Sequence, residues 1–263
     1  MKQIFITGHG GPEKLKIQEA PDPTPGEGAL RIRVKASGIN FADILARQGL
    51  YPDSPKVPCV VGYEVSGTVD AAGKGAGESW VGKDVIAMTR FGGYSDVVVV
   101  PANQVFERPA SLTHEQCAAI PVNYLTAWQL LVVMGSLSKH ETVLIHNAGG
   151  GVGLAAIDIA RHIGARILGT ASTGKHAFLK QRGLHEAIDY RTQDWTVELT
   201  RLTAQRGCRA QCRRAGPATL ALAGAGSRSA RRRDERLPRP VPQRSGVAAA
   251  AAHTHCRPEH LAG

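Results

Sequence analysis

Between the apolar run Thr142–His146 and the helical run Leu154–His162 lies Ala148-Gly149-Gly150-Gly151-Val152-Gly153. Strand, glycine turn and helix in that order can hold a dinucleotide pyrophosphate. Ala148 would make the tight turn, Gly150 would let backbone approach the phosphates, and Gly153 would let helix and sheet pack closely. Free N–H groups at the helix start then face the negative charge. A turn that only joins strand to helix is the alternative, and the flanking pattern favours the nucleotide site.

A second group lies about 20 residues further on, where an NAD-preferring site places Asp or Glu on the ribose hydroxyls. Here the chain reads Gly169-Thr170-Ala171-Ser172-Thr173-Gly174-Lys175-His176, with no acid. Ser172 and Thr173 can donate to a phosphate, and Lys175 adds a positive charge, which favours NADP. Against this stands Lys175 as a merely solvated lysine, though helix starts do not favour cations.

These groups need a scaffold. Residues 142–190 alternate strand and helix: Thr142–His146, Gly151–His162, Arg166–Thr170, Lys175–Arg182 and Ala187–Tyr190, with Val197–Thr203 again helical. That is the opening of a doubly wound parallel sheet. Residues 1–110 instead carry short alternating runs broken by Gly and Pro. Gln3–Thr7, Leu30–Ala36, Tyr63–Val69, Asp84–Met88 and Tyr94–Val100 read as strands of a β-rich, barrel-like domain. Two helical runs, Leu112–Ala119 (capped by Ser111 or Thr113) and Tyr124–Met134, connect the halves.

The chain has 263 residues and a formal net charge of +10. That basicity is local. Residues 208–263 hold 11 Arg and no Lys against three acids, whereas residues 1–207 hold 21 basic and 19 acidic residues. The last 56 residues also lack Ile, Phe, Tyr, Trp and Met, so they cannot bury enough apolar surface to offset ordering entropy, and the expectation is disorder. A nucleic-acid arm centred on Arg231-Arg232-Arg233 would lack aromatics for stacking. A metal site from Cys208, Cys212, His253, His255, Cys256 and His260 would have to span 40 residues of patternless chain. No apolar run reaches membrane-spanning length, no signal-peptide pattern opens the chain, and five scattered cysteines make no disulfide framework. The expectation is a cytoplasmic protein without nucleic-acid or membrane partners, in which Cys59 and Cys117 are inert buried thiols.

Residues 1–206 resemble the zinc-free quinone oxidoreductase (zeta-crystallin-like) branch of the medium-chain dehydrogenase/reductase superfamily. The likeness rests on Val34–Asp43 (VKASGINFAD), Arg47–Pro52 (RQGLYP), Gly62–Gly67 (GYEVSG), Leu125–Trp128 (LTAW), the glycine motif and Ile188–Arg191 (IDYR), all in the family's order. It implies an α/β chain: a GroES-like barrel over residues 1–122, then the N-terminal half of a Rossmann domain over 123–207. It further implies NADPH-dependent reduction of a small-molecule quinone or activated enone in the cleft between them. Carried over by position, Asn40, Tyr51 and Thr126 fall near nicotinamide and substrate, with Tyr63 beside them in the zinc position. Gly150, Gly151, Val152 and Gly153 would hold the pyrophosphate, and Ser172, Lys175 and Tyr190 the adenosine phosphate. Each has a plainer reading: Asn40 as cap of a helix begun at Phe41, Tyr51 as a turn aromatic before Pro52, and Tyr63 as filler.

The chain also departs from the family. Zinc-dependent relatives carry Cys in the loop where Ser37-Gly38-Ile39-Asn40 stands, and Gly-His-Glu where Gly62-Tyr63-Glu64 stands. Glu64 alone cannot hold a tetrahedral zinc, so no metal is expected. Family members continue after Gly207 into another apolar strand, whereas this chain turns to Cys208-Arg209-Ala210-Gln211-Cys212-Arg213-Arg214. The change is of the kind a frameshift produces in a GC-rich gene. It leaves as an alternative a catalytically inactive relative with at most partial cofactor binding, and the absent strands disfavour the family's homodimer.

Overall fold

A computed structural model describes residues 1–203 and the backbone of residues 210–212. The expected order or disorder of the remaining residues lies outside that range. Eleven strands and six α-helices are described.

The barrel half is an antiparallel five-stranded sheet in the order β6-β3-β4-β5-β7. Its strands are β3 (Ala29–Ser37), β4 (Glu64–Ala72), β5 (Asp84–Met88), β6 (Val97–Pro101) and β7 (Val105–Glu107). A hairpin of β1 (Lys2–Ile6) and β2 (Leu15–Glu19) bridges to this half at Gln3–Ser95 and Ile6–Cys59. Alternation in β3 works as the period of two requires: Leu30 and Ile32 are fully buried with Val65, Val69, Val85 and Val100, and Arg31 and Arg33 turn outward to Asp70 at 2.8 and 2.6 Å. Helix α1 (Phe41–Arg47) begins immediately after Asn40.

The second half is a four-stranded parallel sheet in the order β10-β9-β8-β11. Its strands are β8 (Thr142–Ile145), β9 (Arg166–Thr170), β10 (Glu186–Ile188) and β11 (Ala210–Cys212). Counted from β8, the spatial order is 3-2-1-4, the first four strands of the dinucleotide-binding arrangement. The chain reverses direction across the sheet between β8 and β11, so the crevice at the carboxyl end of β8 is the switch point where such sheets bind ligands. Helix α4 (Gly151–Ile163) leaves that crevice and ends at Gly164, whose φ of 85° makes the left-handed cap. The core beneath it is Val143, Ile145, Ala155, Ala156, Ile157, Ala160 and Ile167. Helices α5 (His176–Gln181) and α6 (Trp195–Leu202) complete the described part of this half.

One boundary differs from the sequence expectation. The apolar pattern ends at residue 207, but Ala210, Gln211 and Cys212 pair in parallel with Val143, Leu144 and Ile145. Ala-Gln-Cys among arginines carries little strand signal of its own; its place comes from the open edge of β8, a tertiary constraint no local window contains.

Two helices join the halves. Helix α2 (His114–Ala118) is capped by Thr113, whose hydroxyl accepts from Gln116 N–H while Gln116 Oε1 accepts from Thr113 N–H. Helix α3 (Pro121–Trp128) starts with Pro at its first position and widens into a π-helical stretch over Gln129–Met134. Among the described residues no helix is long and apolar enough to cross a membrane.

Helix α4 sits as low on the sheet as it does because Gly153 has no side chain. A Cβ there would lie 2.5 Å from Asn147 O and 2.6 Å from Ala148 O, both backbone atoms that cannot yield. In an open helix Gly→Ala gains about 1 kcal/mol. At Gly153 the sign reverses: Gly153→Ala should cost about 1–3 kcal/mol, read as a lowered Tm in thermal unfolding. A raised Tm would show that helix and turn are not in contact there.

Candidate functional site

The crevice at the switch point is built by the turn after β8. The sequence places its sharp bend at Ala148; in the structure the left-handed residue is Asn147, at φ 53°. Asn tolerates that conformation better than Ala does, and Ala148 can then stay fully buried, its N–H donating to Thr170 O at 3.0 Å. Gly150 caps α4 with extended backbone, and no side chain caps the helix. The first intrahelical bond is Leu154 N–H to Gly150 O at 2.9 Å, so the N–H groups of Gly151, Val152 and Gly153 precede the ladder. These are the donors an anion takes at a helix start. At Gly151 a Cβ would meet Asn123 Oδ1 at 2.5 Å, so helix α3 closes one side of the cradle.

Lys175 closes the other side. It is 26 residues from Gly149 in sequence, yet its Nζ donates to Gly149 O at 3.3 Å. Ser172 begins the short turn leading to it, and Lys175 N–H donates to Ser172 O at 2.9 Å. Thr173, expected to be a second hydroxyl donor, is committed elsewhere: both its N–H and its hydroxyl donate to Asp189 Oδ2. An acid therefore does stand beside this stretch, brought from the end of β10 rather than from the local sequence. Asp189 also accepts from Arg191 N–H at 3.0 Å, and these bonds, the Thr173 hydroxyl first, hold its carboxyl below the ordinary Asp range. With both oxygens occupied, Asp189 pins the loop. Tyr190, next in the chain, is half exposed with Arg191 over its ring at 5.9 Å.

The barrel supplies the other group. Asn40 does cap α1, as its plainer reading holds, with its N–H donating to Asp43 Oδ2 at 2.8 Å. Its side chain is spent differently: Nδ2 donates to Glu64 Oε1 at 2.8 Å. Glu64 is 1% exposed and takes Val122 N–H, on the first turn of α3, on its other oxygen at 2.8 Å. Burial pushes the Glu64 carboxyl above the ordinary Glu value, partly countered by these two donors. Tyr51 and Tyr63 meet edge to face with ring centroids 6.3 Å apart, and Phe91 lies 5.4 Å from Tyr63. Burial raises the Tyr63 phenol far above its usual value, so it stays protonated at any working pH. A cavity of about 420 Å³ opens beside it, lined by Tyr63, Met88, Arg90, Phe106 and Leu125 among others.

Helix α3 links the groups. Val122 ties to Glu64, Asn123 touches Gly151, and Leu125 lines the Tyr63 cavity. Thr126 follows Val122 by four residues and so lies on the same side of the helix, half buried. Sequence reasoning missed Asn123, Glu64 as hydrogen-bond partner, and Asp189; each acts through a contact between distant segments.

The residues at the zinc position do not fit a zinc ion. Ser37 Oγ donates to Gly93 O at 2.6 Å, Asn40 to Glu64, and Tyr63 packs among rings. Among the described residues no three His, Cys, Asp or Glu side chains converge on one point. Cys59 and Cys117 are buried and their thiols are pushed up by that burial. Nor is the Ser66–His114–Asp84 array on the barrel a nucleophilic triad: Ser66 is fully buried and its hydroxyl donates to Val85 O.

Comparison with known proteins agrees with this architecture. Residues 26–110 match the alcohol dehydrogenase GroES-like domain, and residues 151–225 match the zinc-binding dehydrogenase family. The synaptic vesicle membrane protein VAT-1 homolog of Mus musculus is 41% identical over 206 residues, 77% of this chain and 51% of the relative. Quinone oxidoreductase of Homo sapiens is 33% identical over 210 residues, 79% of this chain and 64% of the relative. The crystal structure of Escherichia coli quinone oxidoreductase complexed with NADPH superposes with a TM-score of 0.74 at 34% identity, covering 80% of this chain and 64% of that one. The chain thus spans about half the length of the VAT-1 relative and under two thirds of these quinone oxidoreductases. The chain belongs to the medium-chain dehydrogenase/reductase superfamily, with quinone oxidoreductases among the proteins it resembles.

Proposed function

We propose that this chain binds NADPH and reduces a quinone or activated enone without zinc. The observation that carries the reading is the Lys175 ammonium lying over the glycine turn at the switch point, with the Asp189 carboxylate beside that stretch already taken by Thr173 and Arg191. The cradle suits a dinucleotide: at Gly149, Gly150 and Gly151 the bare backbone comes so close to Lys175, Asn147 and Asn123 that a Cβ would collide with each. Gly150 to Gly153 and the first-turn N–H groups of α4 would hold the pyrophosphate. Ser172 and Lys175 would hold the adenosine phosphate, with Tyr190 beside the adenosine. A homologue solved with NADPH supports the same assignment.

When bound, the nicotinamide supplies a hydride, and reduction of the quinone then needs one proton. This chain's residues position and exclude water rather than act as a strong acid or base. Tyr63, Leu125, Met88 and Phe106 offer flat apolar walls to a planar ring. The Tyr63 phenol keeps its proton and serves as a hydrogen-bond donor to a substrate oxygen, with Tyr51 fixing its ring edge-on. Asn40 and Thr126 flank the nicotinamide side. The proton comes from solvent at the open mouth of the cavity.

Turnover of NADPH with a simple quinone, followed by loss of its absorbance, tests the reaction; no oxidation beyond the protein-free rate would refute it. For cofactor choice, charge-assisted contacts of about 1.5–3 kcal/mol give at least about a tenfold preference for NADPH over NADH. Fluorescence titration should show that preference, and Lys175→Ala should weaken NADPH while leaving NADH nearly unchanged; equal affinities in the parent protein would sink the assignment. Because the side chains at the zinc position are each committed to another partner, quinone reduction should survive a strong chelator. Loss on chelation with recovery on added zinc would overturn the zinc-free reading.

A further inference from the structure

Two carboxylates are buried within one corner of the barrel, and the mechanism above uses neither. Asp43 is 4% exposed and Glu64 1%. Asp43 serves its own neighbourhood. Its Oδ2 accepts from Asn40 N–H at 2.8 Å and its Oδ1 from Gly62 N–H at 3.1 Å, tying the start of α1 to the loop before β4. Glu64 has no such local role. Its partners are 24 residues behind it and 58 ahead, one in the barrel and one on α3. The chain makes room for it with Gly38, where a Cβ would collide with Glu64 Oε1 and with Ala118 O.

We infer that Glu64 is the positioning residue of the cleft, fixing which end of the Asn40 amide faces the ligand and coupling that orientation to the seating of α3. A carboxylate only accepts hydrogen bonds, so the amide must turn its NH2 end to Glu64. The reverse orientation would set Asn40 Oδ1 against Glu64 Oε1, two buried acceptors without a proton between them, which costs more than the bond contributes. The carbonyl end of Asn40 is thereby turned away from Glu64. Because the other Glu64 oxygen holds Val122 N–H at the N-terminus of α3, the amide is oriented only while the helix is seated, and with it Asn123 against the glycine turn. A proton on Glu64 Oε1 would make that oxygen a donor and release the orientation of the amide, while Oε2 goes on accepting from Val122 N–H.

The titratable groups facing Glu64 are Asp43 from α1 and the Tyr94 phenol from the loop before β6; α3 offers a backbone N–H, and α2 the Ala118 carbonyl. Burial, then the negative Asp43, raise the Glu64 carboxyl. Its folded value therefore lies above that of a free Glu. The constraint holds above that value and is lost as pH falls through it.

That the freed carbonyl meets a ligand rests on the proposed cleft; that Glu64 orients the amide does not. The full chain, labelled with ¹⁵N at asparagine side chains, tests the two separately. The Asn40 NH2 pair, identified by its disappearance in Asn40→Ala, should exchange slowly and shift with pH at an apparent value above the ordinary Glu range. Asp43→Asn should leave that titration in place, and Glu64→Gln should abolish it. An exposed, pH-independent Asn40 amide in the parent protein, which needs no variant to fold, would overturn the inference, as would titration persisting in Glu64→Gln. In quinone reduction, Glu64→Gln should lower kcat about tenfold with KM for NADPH nearly unchanged, and Asn40→Ala/Glu64→Gln should be no slower than Asn40→Ala alone. Additive losses would overturn the route through Asn40. A parent protein whose amide titrates but which reduces no quinone would sink the proposed reaction and leave the positioning role standing.

Discussion

One buried carboxylate holds the two halves of this molecule in register. Taking Glu64 out of water costs several kcal/mol, and that cost is offset in part by donors on both oxygens, one from the barrel and one from the helix that leads into the second half. The second donor is well chosen. Val122 sits in the first turn of α3, where N–H groups lack intrahelical acceptors and the helix dipole favours negative charge, so the same contact answers an orphan donor and a buried anion. Remove either partner and an uncompensated charge is left inside; the corner is stable as a unit or not at all. Everything downstream inherits that rigidity: Asn123 reaches the glycine turn and Leu125 the Tyr63 cavity because Val122 is fixed.

The coenzyme crevice works by a complementary rule. Its geometry comes from what is missing: no Cβ at Gly153 under the helix, none at Gly151 against α3, and an Asn in the left-handed bend so that Ala148 can stay buried. Around that cradle the charges are sorted. Asp189 stands beside the Ser172–Lys175 turn, and donors from Thr173 and Arg191 occupy its oxygens. Lys175 is a cation held at the turn, and its contact with Gly149 O is long enough to be exchanged for a stronger acceptor.

How much of this is legible in the chain follows from the range of each cause. The bounds of β5, β9 and, nearly, β8 and α4 agree with the sequence expectation because local alternation or helical period sets them. The glycine motif is legible for the same reason: turn, strand and helix are contiguous. The hairpin strand β2 is not, since every residue of Leu15–Glu19 is exposed and apolar alternation has no buried face to mark. Strand β11 is not, since its partner lies 67 residues earlier in the chain. Within the site, residue types are legible and partners are not. Asn40 is legible as a helix cap, and its backbone N–H does donate to Asp43; that its side chain goes to Glu64 is a division of partners no local window contains.

That division explains how a corner which holds zinc in some relatives stays ordered with Ser37, Asn40 and Tyr63 in place of metal ligands. A tetrahedral ion would demand that several side chains aim at one point and give up other partners. Here each aims elsewhere: Ser37 at the Gly93 carbonyl, Asn40 at Glu64, and Tyr63 into a stack with Tyr51 and Phe91. Organisation is spread over directional hydrogen bonds and ring contacts, each worth about 1 kcal/mol, rather than concentrated in one ion. Side chains committed in this way offer hydrogen bonds and ring faces, the groups that the proposed carbonyl substrate would need. The corner also has a different weakness. A metal site fails when its ion is lost, whereas here a proton on Glu64 Oε1 would release the Asn40 amide and leave the Val122, Ser37 and Tyr63 contacts in place.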